Sequence, residues 1–406
     1  MTTIAVFATA GAMALTGCSS SGKSTGGGLG GGSSTPATGG SSTGSAPAAT
    51  GKTYTIGFEG PLSGANAQLG INELYGAQIA VDDANKDSSL GFKVKLIQSD
   101  DEGDPAKSPA AATALVSNPD VIAEVGPSFS GSTLAVGKIY SAANMAFVTP
   151  SASKGTLQTQ GFKTFFRVIP NDFVEAPAGA DFLKRHGTKN MFVLQDLSPY
   201  GQGVGDSVKA QAQKDGIKVT EQGLDGTTTK NYGPIAQTIA NSGADTLFYA
   251  GYDAQAALLA KALVAAGFKG TTIGGNGIKS SVFTKDSGSA GNGWYMTCGC
   301  ADATTLPAAK QFVTEYQAKY HTPPSTYSPE AYDATNLVIA AIKAAGANPT
   351  RQSVAEQVAK SDFKGLTATI KFQSNGDLDP AGQVVNLYRQ VNGVIKVLGT
   401  NIKTQS

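Results

Sequence analysis

Short side chains suited to gripping an anion follow two apolar runs in this sequence. Val121–Val125 leads into Gly126-Pro127-Ser128-Phe129-Ser130-Gly131-Ser132-Thr133, and Ala146–Thr149 leads into Pro150-Ser151-Ala152-Ser153. The first segment leaves a strand and opens a helix, where exposed N–H groups and a positive helix terminus suit a carboxylate. Ser130 adds a hydroxyl donor. Ser151 and Ser153, in the turn after the next strand, are placed to converge on the same anion. Helix capping and turn formation use the same residue types, and the two roles are compatible. Tyr200 stands in a turn before a helical stretch, and Tyr252 directly follows the apolar run Ala244–Gly251.

Other chemistries are poorly served. The chain has 406 residues and only two histidines, His186 and His321. Its G-x-S-x-G spacings, Gly22–Gly26 and Gly40–Gly44, fall in the Gly/Ser/Thr-rich run rather than at a strand-to-helix elbow, so a serine hydrolase is not expected, and no enzymatic activity is assigned. Gly201-Gln202-Gly203-Val204-Gly205 lacks the G-x-G-x-x-G spacing of a dinucleotide turn. Asp82-Asp83 lies in a helical stretch, where solvation is the simple reading. Asp100-Asp101 ends a strand, where loop or cap structure is expected. No metal site or cofactor is expected. Charged residues are 15% of the chain and the net charge is +1, which gives no field for holding nucleic acid.

The elements needed to carry these residues are those of an α/β protein. Strands are expected at 54–58, Lys93–Ser99, Val121–Val125, Ala146–Thr149 and Phe165–Ile169, with helices between the first four. The rhythm restarts with Asn190–Gln195, Ile217–Glu221, Ala244–Gly251 and Thr271–Gly275. Helices are expected at Val204–Lys214, Ile235–Asn241 and Ala254–Ala266, the last followed by Gly267 as a C-cap. After Trp294 the pattern is mixed. Helices are expected near Pro307–Tyr320, Pro329–Ala345 and Arg351–Ser361, then strands at Leu366–Phe372, Val384–Gln390 and Val394–Leu398. Alternation of this kind implies parallel sheets with helices on both faces.

Residues 1–17 form an apolar stretch too short to span a bilayer and read as a secretory signal peptide. Leu15-Thr16-Gly17-Cys18 resembles the lipobox of bacterial lipoproteins, which makes Cys18 the expected lipidation site. Two acyl chains anchor stably where one does not. Residues 18–52, rich in Gly, Ser and Thr, are expected to act as a flexible linker spanning roughly 30–35 Å.

From Thr53 onward, a series of motifs resembles the branched-chain amino-acid-binding proteins, substrate-binding lipoproteins of ABC transporters with the type I periplasmic-binding fold. They are Gly57–Gly64, Gly76-Ala77-Gln78, Asp100-Asp101 with Asp104-Pro105, Gly126–Thr133, Thr149–Ser153, Phe166-Arg167, Tyr200–Gly203, Phe248–Tyr252 and Tyr332-Asp333-Ala334. Cys298-Gly299-Cys300 is similar to a feature of actinobacterial members. The resemblance implies two Rossmann-like lobes with parallel-sheet cores joined by a three-segment hinge. The lobes are expected at 53–172 plus 279–382 and at 173–278 plus 383–406. It implies that Ser130, Ser151 and Ser153 grip the ligand's carboxylate and amine, and that Tyr200 and Tyr252 close from the opposite lobe. Leu69 matches a position near the ligand side chain. Gln255 stands where many members carry a glutamate, and an amide cannot neutralise an ammonium. Asp253 is then the acid expected to meet the amine, unless it only caps the helix from Ala254.

The implied function is capture of a branched-chain-like amino acid outside the cytoplasm and delivery to ABC permease subunits. The implied form is a monomer held at the outer face of the cell membrane by its lipid. An amide, urea or small aromatic acid is the alternative ligand, and sensing without transport the alternative role. In that oxidising setting Cys298 and Cys300 are expected to form a local disulfide, with buried thiols or a metal as the other readings.

Overall fold

The computed structural model describes residues 51–402. The signal segment 1–17, Cys18, most of the linker and the last residues of the chain lie outside the described residues.

The first lobe opens with β1 (Thr53–Gly60), α1 (Ala67–Lys86), β2 (Lys93–Asp100), α2 (Ser108–Ser117), β3 (Val121–Val125), α3 (Ser130–Ala142), β4 (Ala146–Thr149) and β5 (Phe165–Arg167). The strands form a five-stranded sheet in the order β2-β1-β3-β4-β5, and each adjacent pair is parallel. Its central strands are buried throughout, as expected of a parallel sheet covered on both faces. One face packs Ile56, Phe58, Val125 and Val148 against helical residues that include Val81, Leu337 and Ile342. The other packs Phe147 against Leu115, Val136 and Tyr140.

The chain then crosses to a second lobe built from α4 (Asp172–Arg185), β6 (Asn190–Gln195), α5 (Pro199–Lys214), β7 (Lys218–Gly223), α6 (Gly233–Asn241), β8 (Thr246–Ala250), α7 (Asp253–Ala265), β9 (Thr271–Gly274), α8 (Ser281–Ser287) and β10 (Tyr295–Cys298). It returns to the first lobe for α9 (Lys310–Tyr320), α10 (Ser328–Ala344), α11 (Arg351–Ala359) and the hairpin β11 (Asp362–Lys364) and β12 (Thr369–Lys371). It ends in the second lobe with β13 (Asn386–Val391) and β14 (Val394–Gly399). The second sheet has seven strands, ordered β14-β13-β10-β9-β8-β6-β7. It is parallel from β7 to β10, while β13 and β14 run antiparallel at one edge.

Three expectations are corrected. The stretch 279–298, expected in the first lobe, belongs to the second, because β10 pairs with β9 and β13 in the second sheet, so the return crossing lies after Cys298. The expected strand Leu366–Phe372 is reduced to β12, which pairs with β11 in a two-stranded hairpin apart from both main sheets. Helix α4, absent from the sequence-based pattern, starts at Asp172 with Asn171 capping it through Phe173 N; its Pro177 and interspersed acids obscure the helical periodicity.

The three crossings meet around the Cys298–Cys300 disulfide. The Cys300 carbonyl accepts from Asn386 Nδ2 at 2.9 Å and Tyr388 Oη at 2.8 Å, which ties the second crossing to the third. Gly299 lies against Pro170 of the first crossing, where a Cβ would stand 2.8 Å from the proline Cδ.

Candidate functional site

Parallel strands place their following loops along one edge of each sheet, and ligands of open α/β sheets sit there. In the first lobe the loop after β3 enters α3, whose N-cap, Phe129, offers no side-chain cap. The first-turn N–H groups are therefore left for another acceptor. Gly60 ends β1 where the loop passes closest, and a Cβ there would collide with Ser128 Oγ. The loop after β4 is stapled alongside: Thr149 Oγ1 donates to Pro127 O at 2.7 Å, and Ser151 Oγ donates to Ser128 O at 2.6 Å. Ser130 Oγ accepts from Lys154 N at 3.1 Å, which leaves its own proton available. Arg167 fixes the loop from behind, donating to Ala152 O at 3.0 Å and Lys154 O at 2.9 Å while paired with Asp377.

The second lobe presents its loops from the opposite side. Phe129 stacks on Tyr252 at 4.4 Å between ring centroids, and Tyr252 leans on Tyr200 at 5.1 Å. Tyr200 Oη accepts from Gly277 N at 3.0 Å, so its proton is free to donate. Lys154 Nζ reaches Pro199 O at 3.0 Å, and Asn66 Nδ2 reaches Asp253 Oδ1 at 2.7 Å and Gln255 Oε1 at 3.2 Å. The lobes are thus closed on each other.

Between them lies a narrow cavity lined by residues of both lobes. Of the residues singled out in the sequence, Leu69, Ser130, Ser151, Tyr200 and Tyr252 line it. Ser153 is buried just behind, with Oγ 3.4 Å from Asn276 Nδ2. Asp253 and Gln255 do not line it. Asp253 is the first residue of α7, whose N-cap is Tyr252; it accepts from Ala254 N at 2.9 Å as well as from Asn66, which makes it a latch between lobes rather than the expected cap. Gln255 borders a wider cleft that adjoins the cavity at Phe129 and Tyr252.

The cavity also contains residues that sequence reasoning missed: Glu73, Asn276 and Tyr327. Glu73 sits inside α1, where a carboxylate reads as part of a solvated face. Asn276 lies in the short turn after β9. Tyr327 comes from a loop distant in sequence and holds a left-handed backbone, φ 66°, a strained conformation for a bulky residue. The one available signal was Tyr327 in the approach to Pro329, a helix-start proline.

Burial governs the acids around this site. It lifts Glu73 to about 8, against the Ser128 and Ser151 hydroxyls, and lifts Glu330 to about 8 and Asp172 to about 7. These groups hold protons in the folded chain that they release at about pH 4 in the unfolded chain. Their favourable contribution is complete below that range and is lost as pH rises through 7–8. Lys279, pushed down by burial, acts in the opposite sense on one of them. The unfolding temperature of the ligand-free protein is therefore expected to be higher at pH 5.5 than at pH 8. A profile that rises across that interval would contradict these assignments.

Two lobes, a parallel-sheet core in each, and a buried cavity shared at their facing loop edges define a solute-binding protein that closes around its ligand. The chain belongs to the periplasmic binding protein family, whose model matches residues 53–391, a family of non-enzymatic, extracytoplasmic binders. The Leu/Ile/Val-binding protein homolog 3 of Brucella melitensis biotype 1 is 31% identical over 80% of this chain and 88% of its own length. The fold is also that of the leucine binding protein LivK from Thermotoga maritima MSB8, with TM-score 0.80 and 24% identity over 86% of this chain and 98% of that one. LivJ of Streptococcus pneumoniae in complex with isoleucine gives TM-score 0.77 and 23% identity over 86% and 99%.

Proposed function

We propose that the protein captures a branched-chain amino acid in the interlobe cavity and hands it to the permease of an ABC importer. The cavity itself carries this reading. It is lined by both lobes and offers hydroxyls and an uncapped helix terminus on one side with apolar Leu69 and aromatic rings around them. The carboxylate meets the α3 terminus with Ser130 and the Tyr200 hydroxyl, and the side chain lies toward Leu69 and Phe129. The ligand touches both lobes and so favours the closed arrangement over the open one, which is the form a permease recognises. Relatives named for leucine, isoleucine and valine support the ligand class. The protein acts as a monomer, held to the outer face of the membrane through a diacylated Cys18 after removal of residues 1–17.

The test is a thermal-unfolding screen against the amino acids, urea, short amides and small aromatic acids. A ligand at 100 times its Kd stabilises by about 2.7 kcal/mol, and leucine, isoleucine or valine is expected to give the largest shift. A shift with benzoate or an amide and none with any amino acid would replace this reading with the competing one, which the ring-lined cavity and the Asn276 amide favour.

A further inference from the structure

We infer that the Cys298–Cys300 disulfide sets the balance between the open and closed arrangements, and with it the ligand affinity, by joining the three crossings into one stiff unit. This goes beyond the amino-acid reading and rests on it only for the choice of ligand. Both cysteines are fully buried, and their bond closes Cys298-Gly299-Cys300 into a small ring at the second crossing. A cross-link of this kind removes backbone freedom from the segment it closes. The ring then holds the other two crossings. Gly299 N donates to Glu175 Oε2 at 3.0 Å, and Glu175 lies in the first turn of α4, just past the first crossing. The Cys300 carbonyl holds Asn386 and Tyr388 just past the third crossing. Glu175 is itself fully buried and accepts from Thr297 Oγ1 at 3.1 Å and from Asn276 N at 3.0 Å. The end of β10, the start of α4 and a wall of the cavity are thus tied to the same carboxylate. The disulfide also packs in a core cluster with Ile169 of the first crossing and Tyr327 of the first lobe.

Closure rotates the lobes about these crossings. With the ring intact, the crossings are ordered before the ligand arrives, and closure loses little further entropy. With the ring opened, the same order has to be imposed at closure, and that cost offsets part of the ligand's contacts. The open form is then favoured, and the difference appears as faster release of the ligand. A disulfide that served stability alone would behave otherwise. It would act by restricting the unfolded chain and leave the affinity of the folded chain alone.

The experiment compares wild type, Cys298→Ser/Cys300→Ser and Tyr388→Phe at a temperature well below every unfolding transition. Stopped-flow kinetics follow leucine binding, and small-angle X-ray scattering follows the ligand-free protein. The serine pair is expected to release leucine about 10-fold faster than wild type, with the association rate little changed. Its ligand-free scattering is expected to show a broader and more extended ensemble. Tyr388→Phe keeps the disulfide and removes one bond to the Cys300 carbonyl. It is expected to release leucine about 5-fold faster, which provides a second reading if the serine pair folds poorly. A serine pair with a lower unfolding temperature but wild-type release and wild-type scattering overturns the inference and leaves the disulfide as a staple of the fold. A wild type that does not bind leucine overturns the amino-acid reading, and the scattering comparison then decides the hinge inference alone.

Discussion

Replacing Arg167 with methionine is expected to cost the protein about 3–5 kcal/mol and to abolish ligand binding. Arg167 is fully buried. Its Nε donates to Asp377 Oδ1 at 3.0 Å, its Nη2 pairs with the same carboxylate, and Nη1 serves Ala152 O and Lys154 O at 3.0 and 2.9 Å. Methionine keeps much of the volume but leaves Asp377, itself buried, with Asn171 Nδ2 at 3.1 Å as its remaining side-chain donor. Two loop carbonyls lose their partner as well. Removing one half of a buried pair costs more than removing both. Arg167→Met/Asp377→Asn should therefore lose less than the two single variants summed. Urea titration of the four proteins measures this coupling, and strict additivity would show that the pair is not the source of the loss. The binding defect follows from the same bonds, because they hold the turn that carries Ser151 and Ser153.

Gly76→Ala is expected to cost about 2–3 kcal/mol and to weaken ligand binding. Gly76 lies in α1 where α10 crosses it. A Cβ at this position would overlap the Ser328 carbonyl oxygen and stand 2.9 Å from its carbon. Backbone cannot rotate away as a side chain can, so the helices must separate. Ser328 follows Tyr327, and Glu73 lies one turn before Gly76 on α1, so separation disturbs two walls of the cavity together. A melting temperature within a degree of wild type, with unchanged affinity, would show that the helices accommodate the methyl group.

The strands of the first lobe were legible because β3 and β4 are short apolar runs bounded by turn residues and β1 alternates apolar with polar residues. Ser130, Ser151, Tyr200 and Tyr252 were legible because each directly follows a strand or opens a helix, where loop chemistry meets a ligand. Glu73 was not, since one carboxylate inside an amphipathic helix gives no sign of facing a cavity rather than water. Tyr327 and Asn276 reach the cavity only through long-range packing. Asp253 carried two readings, amine partner and helix cap; the structure makes it the first residue of α7, bonded to Asn66 of the other lobe. The boundary near 279 failed for a related reason. β10 is four residues long, and its place depends on pairing with a strand almost ninety positions later, Asn386 opposite Cys298, which no local pattern records.

That pairing bears on how the chain is made. Neither lobe has its full complement of elements until the last part of the sequence has emerged, because α10 covers the first sheet and β13 extends the second. A half-synthesised chain therefore shows apolar faces without their covers, a state that attracts chaperones and resists premature locking. For a protein that works beyond the cytoplasm, such delay is useful: the polypeptide stays threadable until translocation is over.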